Sequence, residues 1–503
     1  MRIGRSESAE LPRVFRRLLV AWAASLAADG MRFAAVPLLA LATNPTPAGV
    51  SAVAAAMSLP WLLVALPAGA LVDRMDPGRV IAGANLARAL GSGVLVWAVL
   101  AGRVDIPLLC IVGFVLTSAE TFADSAAQSL LVRIVPSAQL ERANARFVSS
   151  ENVALDLVGP LAAGGLFVVL PWLPFAVSAT LFVITGVAML TLTGHREPLP
   201  GNLGGTEDSQ GAAGAGAGPA TDDRAAFADG FRTIFRDSAL RELVISVAVM
   251  VAAIGAMEAV LVLYSASSLH LPTAFYPTLL ACYSVGLLTS AALVGRLAGR
   301  FRPGQLMLTA IAGIGTTMVV LGLFPDPVVA WVCFGLMGAA GGVWNVLSAT
   351  RRQRRTPRHM LARVSSTFRA LTWGALPVGA TLGGLGGERW GVPTVFVVAG
   401  AVVLVLGAVV AASFLRHEDT SSEVVDPERP DLSMMPKLEC SDELADAGAD
   451  RPSGGRTTPA SPFESAGLPI TDPVGVGPPP TQRVLAARHR EPNPAADKTE
   501  PVR

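Results

Sequence analysis

Long apolar runs separated by short polar loops set the pattern of this chain. A helix that crosses the hydrocarbon of a bilayer needs ~20 mostly apolar residues. Twelve stretches meet that requirement, at about 15–39, 48–72, 80–101, 107–132, 153–170, 174–194, 243–264, 274–295, 305–324, 328–349, 365–387 and 391–415. The pattern predicts an all-α membrane protein with twelve transmembrane helices. Two segments break it. From His195 to Ser238 the chain is first rich in Gly, Ala and Ser, as a flexible linker is. It then places Phe227, Phe231, Ile234 and Phe235 at helical spacing opposite Asp229, Arg232 and Arg236. That spacing suits a helix lying on the cytoplasmic membrane surface, or an early first turn of the seventh span. From Arg416 to Arg503 the chain is rich in Pro, Ser, Asp and Glu without apolar periodicity, which predicts a disordered tail.

Charge placement orients the spans. The N-terminus carries Arg2, Arg5, Arg13, Arg16 and Arg17, and the next loop carries no charge. Arg74 and Arg79, then Arg133, Arg142 and Arg146, then Arg296, Arg300 and Arg302, then the run from Arg351 to Arg363 occupy alternate loops. The intervening loops hold little beyond Arg103, Asp105, His270, Asp326 and the pair Glu388 and Arg389. Basic loops stay in the cytoplasm, so both termini are expected there, in a bacterial inner membrane.

Two loop motifs recur. Gly69, Arg74, Pro77 and Gly78 in the loop after span two return as Gly295, Arg300, Pro303 and Gly304. Arg133, Pro136, Leu140 and Arg142 return as Arg354, Pro357, Leu361 and Arg363. The repeats predict two pseudo-symmetric six-helix bundles at 1–194 and 239–415, a cytoplasmic linker at 195–238 with a possible interfacial helix, and a tail at 416–503. Pro77 and Gly78 read as the turn itself.

Composition adds exclusions. The chain is 52% hydrophobic and 15% charged, with four scattered cysteines and five histidines. No cysteine or histidine spacing suggests a metal site or disulfide framework, and no glycine loop with lysine suggests a bound nucleotide. Neither an enzyme, a cofactor nor a nucleic-acid partner is expected. Asp29 and Arg32 inside the first run, and the spans that follow, mark it as a retained helix and not a cleaved signal.

Gly69, Asp73 and Arg74, with Gly78 and Arg79, resemble the cytoplasmic loop signature of the major facilitator superfamily. The resemblance covers about residues 12–416. Glu120 and Asp124, Val135-Pro136 with Leu140, Ala143 and Asn144, and Thr356-Pro357 are similar to the branch holding macrolide-efflux and enterobactin-exporter proteins. It implies alternating access, two halves rocking about a central cavity, driven by the proton gradient. Exporters in this family also carry Gly-Pro, two residues, then Gly-Gly in span five. Here Gly159-Pro160 is followed by Ala163, Gly164 and Gly165, and Leu155 replaces a usual upstream glycine. Those glycines serve coupled bending or simply tight helix packing; both readings stand.

An ionisable side chain at mid-bilayer costs ~2.5–3.5 kcal/mol on insertion scales, so each one retained has a function or a partner. Asp29 and Arg32, three apart on span one, neutralise each other or form a responsive pair. Glu120 and Asp124 lie one turn apart on span four. Asp124 is read as a latch to Arg74, and Glu120 as a coupling or substrate group. Asp156 precedes Gly159-Pro160, and Glu258 lies in the outer half of span seven with nothing basic near it in sequence. Asn345 beside Trp344, and Arg369 with Trp373, are candidates to complete the cavity, although Arg369 is also within reach of headgroups. In the resembled fold spans two and eleven meet, which would set Asp73 against the N-terminus of span eleven as a cytoplasmic gate. The sum is a secondary active transporter: a monomer among membrane lipids that exchanges protons for a small amphiphilic molecule such as a drug, a macrolide-like compound or a secondary metabolite. The alternatives are an importer or siderophore-type exporter of the same fold, or a non-transporting scaffold or sensor acting through the tail.

Overall fold

The computed structural model describes residues 13–72, 74–136, 139–192, 223–297, 300–357 and 360–416. Asp73, the Gly/Ala-rich part of the linker and the tail beyond Arg416 lie outside the described residues. Every regular element among the described residues is helical. In order these are α1 (Arg13–Thr43), α2 (Pro47–Leu63), α3 (Ala65–Val72), α4 (Pro77–Leu100), α5 (Ile106–Ile134), α6 (Leu140–Val153) and α7 (Gly159–Val169). There follow α8 (Leu173–Leu192), α9 (Asp223–Arg236), α10 (Ser238–Leu263), α11 (Tyr276–Leu297), α12 (Pro303–Leu323), α13 (Pro327–Arg355), α14 (Leu361–Trp373), α15 (Ala375–Trp390) and α16 (Val392–Arg416).

Nine helical runs among the described residues are long and apolar enough to cross a membrane. The other expected spans fall on α11 and on two helices that are broken partway. α2 stops at Leu63, four residues ahead of Pro67, and α3 takes over after Val64. A ring nitrogen without a proton interrupts the ladder there. α14 gives way to α15 at Gly374. A third irregularity is a π-helical turn, Ala154–Val158, between α6 and α7. It comes just before Gly159-Pro160, where a regular helix would lose a donor, and wider spacing absorbs that loss.

Short polar loops start the helices cleanly. Asp76 caps α4, its Oδ1 accepting from the Arg79 amide at 3.1 Å. Pro77 and Gly78 therefore open that helix and do not form the turn, because proline fits a first helical position whose amide has no partner anyway. Asp105, Asp326 and Thr46 cap α5, α13 and α2 in the same way. Asp237 accepts from the amides of Ala239 and Leu240 at 2.8 and 3.0 Å and caps α10. α9 is consequently a helix of its own and not an early turn of span seven.

The packing pairs repeat along the chain. Within 13–192, α1 packs on α7 and α8, α4 on α5 and α8, and α2 on α5. Within 238–416, α10 packs on α15 and α16, α12 on α13 and α16, and α11 on α13. Each pair in the first set has its counterpart in the second. The two sets meet through α2 against α10 and α15, and through α7 against α11. Small residues make the close approaches. Cβ atoms added at Gly384 and Gly387 would press on Ser51 and Pro47, and one at Gly164 would press on Ala274 and Pro277. All of these lie towards the arginine-poor ends of their helices.

Candidate functional site

The sequence candidates separate into two places. The first is a polar knot buried among α1, α4 and α5. Asp29 and Arg32 lie one turn apart on α1, each 1% exposed. Arg32 Nη2 donates to Glu120 Oε2 at 2.6 Å and to Asp29 Oδ1 at 3.4 Å, and Nη1 donates to Thr117 Oγ1 at 3.1 Å. The other Asp29 oxygen accepts from Arg88 Nη1 on α4. Arg88 Nη2 donates to Asn85 Oδ1 at 3.0 Å, and Ser25 Oγ donates to the same oxygen at 3.1 Å. The guanidiniums rest on rings, Arg32 at 4.2 Å from Phe33 and Arg88 at 4.7 Å from Phe182. Two arginines and two carboxylates make the knot electrically neutral, the condition under which charges are tolerated away from water.

Arg88 and Asn85 were missed by the sequence reading. A lone arginine in the middle of the apolar run 80–101 was the available signal, since such a charge requires a carboxylate partner. The partners are unequal. Asp29 is shared by two arginines, whereas Glu120 is held by Arg32 alone. The Nε atoms of Arg32 and Arg88 have no hydrogen-bond partner among the described residues.

Asp124, one turn along α5 from Glu120, is half-buried and lies within electrostatic reach of Glu120, Glu151 and Arg88. Arg74 is exposed, and no ion pair joins it to Asp124 among the described residues. Gly69 has open space where a Cβ would sit, Gly78 is buried in the first turn of α4, and Arg79 is exposed. Asp73, the proposed gate residue, lies outside the described residues.

The second place is a cavity of ≈ 100 Å³ between α10, α11, α12 and α13. Glu258, Tyr283 and Asn345 are polar side chains on its wall, and Met257, Phe334 and Trp344 are among the apolar ones. Glu258 sits in the core of α10, between buried Met257 and Ala259, yet its own side chain is exposed to this space. Asp156, half-buried on the π-helical turn, is within electrostatic reach of Glu258, and its carbonyl accepts from Ser284 Oγ on α11 at 2.7 Å. The turn thus ties the span-five helix of the first set to α11 of the second. Gly159 meets Gly30 and Ala27 of α1, Pro160 is buried, and Gly165 faces open space. Arg369 is exposed and lies within electrostatic reach of Glu151. Trp373, also exposed, leans on Trp61 with ring centroids 6.0 Å apart. No group of His, Cys, Asp and Glu among the described residues is arranged to hold a metal ion.

Comparison with known proteins gives the family. The multidrug efflux pump Tap of Mycolicibacterium fortuitum is 28% identical over 420 residues, 81% of this chain and 98% of that protein. The enterobactin exporter EntS of Citrobacter koseri is 34% identical over 132 residues, 26% of this chain, and that match spans only 32% of the exporter. Among solved structures, a bacterial homologue of the iron transporter ferroportin superposes with a TM-score of 0.64 at 16% identity, covering 80% of this chain and 98% of that one. The nucleoside transporter NupG superposes with a TM-score of 0.62 at 11% identity, covering 80% and 100%. With the superfamily's sequence model matched over residues 18–376, the chain belongs to the Major Facilitator Superfamily.

Proposed function

We propose that this transporter is a proton-coupled exporter that moves a small amphiphilic molecule out of the cell by alternating access of two six-span halves. The observation that carries this reading is the division of labour between the two places. Charges in the α1–α4–α5 knot are matched, so a proton arriving on Glu120 or Asp29 would release an arginine, which is the coupling step proposed here. Glu258 opens on a cavity lined by methionine and aromatic side chains, the surface chemistry an amphiphile requires; at ≈ 100 Å³ it holds only part of a drug-sized molecule in this form. A carboxylate in that wall favours a cationic or neutral substrate over an anionic siderophore. Similarity to Tap over nearly its whole length supports export in preference to import.

The glycine contacts between the halves at Gly164, Gly384 and Gly387 sit at the arginine-poor ends, which the charge rule places outside. Those contacts support a resting form closed to the exterior. The test is flux of a panel of amphiphiles into inverted proteoliposomes under an imposed pH gradient, comparing wild type with Asp29→Asn and Glu258→Gln. Gradient-driven uptake that both substitutions reduce at least tenfold supports the reading. Uptake that persists unchanged when the gradient is collapsed removes proton coupling. Driven movement in the opposite direction makes the chain an importer.

A further inference from the structure

Helix α9 presents two unlike faces. One docks on α14: Ile234 is fully buried, and a Cβ at Gly230 would lie 2.6 Å from the Arg363 carbonyl oxygen. Asp229 Oδ2 accepts from Arg363 Nη1 at 2.9 Å and clamps the two helices together. The opposite face has no neighbour among the described residues that explains its composition. Phe231 and Phe235 are 41% and 36% exposed, with ring centroids 4.3 Å apart. Arg232, Arg236 and Arg241 are exposed beside them, and Arg241 Nη1 donates to the Phe235 carbonyl at 3.3 Å. Three carboxylates described nearby are engaged elsewhere. Asp229 holds Arg363, Asp237 caps α10, and Glu242 bonds Ser413.

Position narrows what this face can meet. Only Asp237 separates α9 from α10, a membrane-crossing helix. The edge therefore lies at the level where the span meets the headgroups. Paired rings flanked by unanswered arginines match a leaflet with an acyl layer and anionic phosphates. We infer that Phe231 and Phe235 insert into the cytoplasmic leaflet while Arg232 and Arg236 bind anionic headgroups, so that α9 is a lipid-docking edge clamped to α14. Because α14 leads into α15, which packs on α2 of the other half, this edge joins leaflet charge to a contact that the transport cycle must remake.

The test uses the full chain, with its native cysteines replaced by serine, in nanodiscs of phosphatidylcholine with or without phosphatidylglycerol. Ala228→Cys, an exposed position beside the rings, carries a bimane label. Quenching by a spin-labelled lipid, stronger by about twofold with phosphatidylglycerol, is expected. Arg232→Gln with Arg236→Gln should abolish that increment, and Phe231→Ser with Phe235→Ser should abolish lipid quenching altogether. Quenching by aqueous iodide and not by lipid would overturn the inference. So would lipid quenching indifferent to phosphatidylglycerol and to the arginine substitutions. None of these readouts depends on the substrate or on proton coupling.

Discussion

Arg88 shows what a single buried charge demands of its neighbours. It reaches Asp29 from a different helix, so removing it leaves Asp29 with only the longer 3.4 Å bond to Arg32. Breaking a buried pair from one side costs ~3–5 kcal/mol, and the surviving bond puts Arg88→Met near the lower end. Thermal unfolding in detergent should show that loss, and adding Asp29→Asn should cost clearly less than the sum of the two single changes. A coupling of at least about 1 kcal/mol is expected for groups in one network; strictly additive effects would mean that the pair does not form. The unequal sharing gives a second outcome. Asp29→Asn strips a partner from both arginines, whereas Glu120→Gln strips one from Arg32 alone, so Asp29→Asn should lower the unfolding temperature more. The reverse order would contradict the geometry. Sequence alone made Asp29, Arg32 and Glu120 visible as charges out of place. It paired Asp29 with Arg32 by spacing and grouped Glu120 with Asp124 along one helix. Which charge answers which across helices depends on packing angles, and those are not written in spacing within a helix.

Apolar length is a local signal and made the runs legible; it did not reveal where helices start, since Pro77 and Gly78 open α4 where they read as a turn, or where helices break. Pro67 and Gly374 sit inside stretches that read as unbroken spans, and the π-helical turn before Pro160 has no apolar signature at all. Glycines in the span-five run, left open between bending and packing, divide by environment. At Gly159 an added Cβ would lie 2.6 Å from the Gly30 Cα and 2.7 Å from the Ala27 carbonyl oxygen. At Gly165 nothing lies within 4 Å. Overpacking a tight contact costs ~1–3 kcal/mol or more. Gly159→Val should therefore lower the yield of monodisperse protein and its unfolding temperature, while Gly165→Val should match wild type in both. Equal damage from the two would imply that the run is needed for its backbone freedom along its whole length and not for the approach of α1 to α7.

At the scale of the whole molecule, the packing pairs repeat in two sets, and the alternating access proposed above would have to remake the seams between them. Those seams close where side chains are smallest, at Gly384 and Gly387 against α2 and at Gly164 against α11. If the halves rock, these backbones must part once in every cycle. A disulfide tests this directly, because its geometry holds Cβ atoms ~3.5–4.5 Å apart. A Cβ at Gly387 would lie 3.1 Å from the Pro47 Cβ, so Pro47→Cys with Gly387→Cys can bridge after a small shift. With Cys110, Cys282, Cys333 and Cys440 replaced by serine, oxidation should cut flux in proteoliposomes at least tenfold, and a reductant should restore it. Substrate binding to the locked form should persist, since the cavity around Glu258 lies within the second set of helices and does not depend on the seam opening. Undiminished flux through the cross-linked protein would mean that the ends of α2 and α15 stay together throughout transport, and that passage occurs by some route other than separation of the two halves there.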